Sequence, residues 1–382
     1  MKYEFSMPMP YSKQNIVKIQ EINKNIKKSK ITSFYFSLPS NCEDFTGFEM
    51  ARYNFNKITN YEYWEPLIVF SLECGFDFVY LLSSPKVFHP SFDDIQNNLK
   101  KLDKLLNNLR KLGCNKVRVC NPQLIGYLNR YYPDFQIYLS TSAEFQSIIQ
   151  YSNYFFMFDN IKEIVPSFDL NKNFNLLVNI KKLYPNIIVE LMVNEGCIKG
   201  CTMRKEHGIF TANLKDIDNI ANIFFSNFFF NSKCSQILNK NFFKYLTQCN
   251  IIYPWELNEY KKIGINNFKF VGRNSEEFTS GKYIDYYYLY LKGIDDIKNI
   301  ENIPIQYFNN YILQNKSVNL TVKEYKKYSP QINHFVKYGH LCTSICGVKC
   351  KYCFKYAEKL INIMQKKNFK NNNGIYAACT KI

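Results

Sequence analysis

DFVYLL (Asp77–Leu82), NLKKLDKLLNNLRKLG (Asn98–Gly113) and KVRVC (Lys116–Cys120) follow one another along a single stretch of the chain. The first and third are short and rich in β-branched and aromatic residues, as strands are. The middle one places Leu99, Leu102, Leu105, Leu106 and Leu109 three and four apart, the period of an amphipathic helix. Strand, helix, strand is one βαβ unit, and a helical crossover makes its strands parallel. The alternation continues on both sides. Further strands are expected over Ile31–Leu38, Phe135–Leu139, Tyr154–Phe158, Ile187–Met192, Ile251–Tyr253 and Asn267–Val271, with EFQSIIQYSN, KNFNLLVNIKKLYP and PWELNEYKKIG as helices between them. Eight strands alternating with helices predict an α/β fold, a TIM-like (β/α) eight-stranded barrel, with an open doubly wound sheet as the alternative.

The connection after the sixth of these strands, Asn194–Asn250, is far longer than a usual βα loop. It opens on a cysteine motif and contains IANIFFSNFFF, whose aromatic density implies a packed excursion. A barrel over residues 1–295 is therefore expected to carry a long cysteine-bearing insertion after strand six. A cysteine-rich C-terminal extension over 296–382, with a polar KKNFKNNNG segment in its tail, is expected to pack on the barrel.

The N-terminus, MKYEFSMPMPYSKQ, has no apolar signal-peptide core, and no run approaches the roughly 18 apolar residues of a membrane span. The expectation is a cytoplasmic protein with no membrane partner. Its thirteen cysteines then read as metal ligands or redox groups rather than disulfides. The formal charge of +17 suits a polyanionic partner such as RNA. Abundant Asn, Lys, Phe and Tyr is also what an AT-rich genome gives, so part of the basic excess is compositional.

NEGCIKGCTMRKEHG (Asn194–Gly208) begins where a strand ends, on the barrel face that carries active sites. It supplies Glu195, Cys197, Cys201, Arg204 and His207. Two soft thiolates favour zinc or iron–sulfur chemistry. Cys234 lies further along the same loop, and Cys42 and Cys120 follow strand ends. Cys249 precedes the expected strand Ile251–Tyr253, at the opposite end of the barrel. A strand of five residues spans about 16 Å, which would put Cys249 out of reach of Cys197. Arg273, after the last strand in FKFVGR, is a candidate cation for an anionic ligand. Cys74, Cys114 and Cys379 read as structural. No Gly-rich phosphate loop, nucleophile elbow or HExxH motif is present.

The second cysteine group is CTSICGVKCKYC, with Cys342, Cys346, Cys350 and Cys353. Four cysteines in twelve residues suit a zinc or an iron–sulfur site. The last three resemble the radical S-adenosylmethionine signature CxxxCxxC. That signature belongs after a barrel's first strand, however, and only 29 residues follow Cys353.

Three stretches taken in order, NIKEIVPSFDLNKN, IIVELMVNEGCIKGC and YPWELNEYKKIGINNFKFVGRNSEEF, resemble the peptidase U-thirty-two (collagenase-like) family. The resemblance covers roughly residues 30–295, with the C-terminal cysteines as an extension of a divergent branch. It implies a barrel holding a 4Fe–4S cluster on four cysteines, and oxygen-independent hydroxylation of RNA or of small molecules, with prephenate as cosubstrate in some members. Other members are named peptidases. Cys197 and Cys201 match the first ligands and Cys234 a third, with Cys42 or one of Cys346, Cys350 and Cys353 to close the set. In that reading Arg204 and Arg273 bind an anionic cosubstrate, and Glu195 or His207 handles protons. The competing readings are a metal-dependent or metal-stabilised peptidase and a non-enzymatic metal-stabilised protein that binds a peptide or protein partner.

Overall fold

The structure, a computed structural model, describes residues 2–38, 42, 45–49, 61–84, 92–197, 199–205, 250–272, 281–308, 320–339 and 349–370. Eight parallel strands close into a barrel in chain order, the first pairing with the last. They are β1 (Tyr3–Pro8), β2 (Ser29–Phe36), β3 (Asp77–Leu82), β4 (Lys116–Val119), β5 (Gln136–Leu139), β6 (Ile161–Ile164), β7 (Ile188–Met192) and β8 (Asn267–Lys269). Helices α1 (Lys13–Asn25), α2 (Tyr61–Glu73), α3 (Phe92–Lys111), α4 (Pro122–Tyr131), α5 (Ile148–Met157), α6 (Phe174–Leu183), α7 (Leu257–Lys262) and α8 (Lys282–Asp295) follow the successive strands. After them come α9 (Val322–Tyr328), α10 (Ile332–Tyr338) and α11 (Tyr352–Lys370).

The eight-stranded barrel is as expected, but its strand set differs in three places. Tyr3–Pro8 is a strand, with Phe5 and Met7 fully buried toward the helices. Tyr154–Phe158 is not one: YFFM forms the last turn of α5, and the strand is Ile161–Ile164. Ile251–Tyr253 is buried but joins no ladder; Ile252 N donates to Val193 O, just beyond the end of β7. The long insertion therefore follows the seventh strand, not the sixth. The final barrel helix spans Lys282–Asp295 in the described residues.

The aromatic composition fills the layer between strands and helices. Phe5 stacks on Phe270 at 4.8 Å, and Phe270 on Tyr287 of α8 at 4.2 Å. Such offset ring pairs add to plain area burial. The same core continues past the barrel into Ile300, Ile305, Phe308, Leu320, Val322, Tyr325 and Phe335. Phe335 of α10 lies under Lys172, at the start of α6. Gly339 passes so close to the Lys172 carbonyl that a Cβ there would collide with it. The chain after the barrel thus returns to the end where strands give way to helices.

The barrel interior departs from the usual layers of branched aliphatics. Arg118 of β4 lies 2.5 Å from Glu163 of β6 and 2.7 Å from Glu190 of β7, all three buried. Lys269 of β8 sits over the Tyr35 ring of β2 at 3.5 Å. Burial first, and Glu190 second, push the Glu163 carboxyl up to about 8. A cavity of about 610 Å³ opens at the strands' N-terminal end and reaches Ser6, Tyr138, Glu163 and Glu190.

Candidate functional site

At the opposite, C-terminal mouth, Val165, Phe168 and Met192 form a small apolar cap, and Cys197 and Val271 pack against it. The turn that carries Cys197 starts as β7 ends. Asn194 ties it to the chain just past the neighbouring strand β8: its amide nitrogen donates to Val271 O and its oxygen accepts from Val271 N, each at 2.8 Å. Glu195 caps the turn by accepting from Cys197 N at 3.1 Å. Gly200, at φ +64, makes the left-handed step that brings Cys201 back beside Cys197.

The two sulfurs are in hydrogen-bond contact. That bond, aided by burial and by Glu195, pushes the Cys197 thiol up. The same bond from Cys197 pulls Cys201 down to about 6 against its own burial. Arg204 also hydrogen-bonds Cys197. A donated hydrogen bond and a nearby cation both favour a thiolate.

Asp169 organises this arrangement from the next loop. Its carboxylate accepts from Arg204 Nη1 at 2.8 Å and Nη2 at 3.3 Å, a bidentate grip. It also accepts from Gly200 N at 3.1 Å and Asn250 Nδ2 at 3.4 Å. The guanidinium lies 4.0 Å from the Phe168 ring centre. Burial works against the Arg204 charge, but Asp169 and the Cys197 sulfur outweigh it and hold the group above its ordinary value. Asn171 donates to both Met192 O and Asn250 O at 2.8 Å, which locks the returning chain against β7.

The expected residues fare differently. Glu195, Cys197, Cys201 and Arg204 come together. His207, Cys234, Cys346 and Arg273 lie outside the described residues, as do Cys249, Cys342 and Cys379. Cys120 donates to Ser84 O at 3.2 Å, and burial pushes it up to about 12, the state of a structural thiol. Cys42 is buried in the outer core. Cys353, at the start of α11, packs on that core, and Cys350 is half-buried just before it. Among the described residues no group of three or more His, Cys, Asp or Glu side chains is placed to hold a metal. The distance argument against Cys249 is overturned: the next residue, Asn250, bonds Asp169 at this site, because the segment after it is not a strand running from the other end. Sequence reasoning missed Asp169 and Asn250. Asp169 sits inside the SFDL of a quoted stretch, where an acidic residue in a turn carries no signal of its own.

No family model and no curated protein matches the chain. Solved structures similar to it include the U32 peptidase Mk0906, with TM-score 0.42 and 14% identity over 71% of this chain and 92% of that one. A GH113 β-1,4-mannanase has TM-score 0.37 and 12% identity, over 75% of this chain and 99% of that one. An O-GlcNAc hydrolase variant from Thermobaculum terrenum has TM-score 0.36 and 9% identity, over 100% and 99%. Likeness at these values carries no argument about activity, cofactor or substrate. No described helix is long and apolar enough to cross a membrane.

Proposed function

We propose that the chain is a metal-dependent enzyme whose centre, an iron–sulfur cluster, is held in part by Cys197 and Cys201. The observation that carries this reading is the sulfur pair at the C-terminal mouth, Cys197 beside Cys201 with Arg204 against Cys197. The donor set fits: two thiolates four residues apart, on a turn fixed by Asn194, Glu195 and Gly200, suit two corners of a four-cysteine site. Further ligands are sought among Cys234, Cys249 and the C-terminal cysteines. When bound, the cluster supplies one-electron chemistry.

The chain's own residues have separable tasks in this reading. Arg204 donates to the Cys197 sulfur and offsets thiolate charge. Asp169 aims Arg204, so Arg204 serves the sulfurs rather than an anionic cosubstrate. That second task passes to Arg273. Glu195 fixes the turn through one oxygen, and proton handling is assigned to Glu195 or His207. Oxygen-independent hydroxylation of RNA, peptide or a small molecule, with prephenate as oxygen source, is the finer reading and rests on the sequence resemblance.

Anaerobic purification of the full chain, with iron, acid-labile sulfide and zinc quantified, tests the proposal. Matching iron and sulfide support it. Stoichiometric zinc without sulfide replaces the cluster with a zinc site and removes the redox chemistry.

A further inference from the structure

The N-terminal half of the barrel interior is not a filled core. Branched aliphatics usually occupy such inward positions. Here they are Ser6 on β1, Glu163 on β6 and Glu190 on β7. The cavity of about 610 Å³ at this end has all three in its lining, together with Tyr138. That volume suits a small molecule. None of Cys197, Cys201, Arg204 and Asp169 lines it, so it is separate from the sulfur site.

Ser6 marks the cavity as a place for a ligand. The residue is 4% exposed, yet its hydroxyl has no hydrogen-bond partner among the described residues. An unpaired buried hydroxyl is costly, and a bound group that pairs with it removes that cost. The charges of the wall decide the class of ligand. Toward the opening, Glu4 pairs with Lys30 at 3.3 Å and Asp77 with Lys116 at 2.7 Å, so these charges neutralise one another. Deeper in, Arg118 bridges Glu163 and Glu190, and Lys269 lies close enough to act on Glu163. Neither of these cations lines the cavity. A cationic ligand would meet Arg118 and Lys269 behind the carboxyls, and an anionic one would meet the carboxyls themselves. Ser33 and Asn267 add neutral hydrogen-bonding groups, while Val79, Ile188 and the Tyr138 ring add apolar surface. An uncharged molecule edged with hydroxyls and backed by C–H groups matches both kinds of wall.

We propose that this cavity binds a neutral polyhydroxylated small molecule, a sugar or cyclic polyol, whose hydroxyls pair with Ser6 and with the Glu163 and Glu190 carboxyls. Saturation-transfer difference NMR and calorimetry on the full chain test it. The probes are glucose, mannose, ribose and myo-inositol, with inorganic phosphate and putrescine as charged comparators. At least one hydroxylated probe is expected to bind with Kd below about 10 mM, and more tightly than either comparator. Ser6→Ala, which removes the unpaired hydroxyl, is expected to weaken that binding about three- to tenfold. Ser33→Phe, which puts a ring into the cavity, is expected to abolish it. Circular dichroism checks that both variants keep the barrel. Failure of all four hydroxylated probes to bind overturns the proposal, as does binding that both variants leave unchanged. Tighter binding of phosphate or putrescine, lost in Ser33→Phe, would assign the cavity to a charged ligand and overturn it too.

Discussion

Replacing Arg118 by methionine removes the one guanidinium that bridges Glu163 and Glu190, at 2.5 and 2.7 Å, while keeping much of the side-chain volume. Both carboxylates are buried. Breaking a buried ion pair from one side costs about 3–5 kcal/mol, because the charge left behind stays desolvated. For 382 residues, the per-residue unfolding entropy converts that loss to a Tm drop of about 4–6 °C. The loss depends on pH. In the folded wild type Glu163 sits up at about 8, so its stabilising contribution is full below the ordinary carboxylate value and falls as pH rises through 8. Without Arg118 the Glu163 carboxyl moves higher still, so the deficit relative to wild type grows with pH. Urea unfolding followed by circular dichroism, near pH 6 and near pH 9, measures it. Adding Glu163→Gln and Glu190→Gln should restore most of the stability, since the uncompensated charges go with them. A single variant within about 1 kcal/mol of wild type at the higher pH, or equally destabilised at both, would refute the reasoning.

Three further outcomes follow from the site and its surroundings. Asp169→Ala frees Arg204 and Gly200, at a cost of about 1.5–3 kcal/mol for the charge-assisted bonds, and should lower bound iron; full metal content would make Asp169 a bystander. In metal-free protein, iodoacetamide should label Cys201 with a midpoint near pH 6, the rate falling as pH drops through it, while Cys114 and Cys120, both pushed up to about 12, stay unlabelled at neutral pH. An ordinary thiol midpoint for Cys201 would contradict its pairing with Cys197. Gly339→Ala drives a methyl into the Lys172 carbonyl and should speed proteolysis of the chain after the barrel; an unchanged digestion pattern would show that this close approach does not anchor the segment.

The barrel is legible because most strands sit between amphipathic helices; of the three differences in the strand set, the missed Tyr3–Pro8 and the extra Ile251–Tyr253 cancel in the count. Tyr3–Pro8 was missed because a six-residue run ending in proline beside the terminus gives little period to read. Tyr154–Phe158 was misplaced because YFFMF has strand-like composition, yet it is the charge-free end of α5. The real strand, Ile161–Ile164, hides behind Lys162 and Glu163. Only the closed barrel shows that Glu163 points inward to Arg118. Cys197 and Cys201 were readable from spacing and from their place after a strand. Asp169 was not, because its partners lie 31 to 81 residues away and nothing local announces them.

The central claim is that Cys197 and Cys201 are cluster ligands. Its most direct measurement is anaerobic reconstitution with iron and sulfide, read by visible absorption and by electron paramagnetic resonance after reduction, on wild type and on Cys197→Ser/Cys201→Ser. The account predicts a cluster signal in the wild type, with matching iron and sulfide, and its loss in the double variant. The same spectrum and the same iron per chain in both proteins would contradict it.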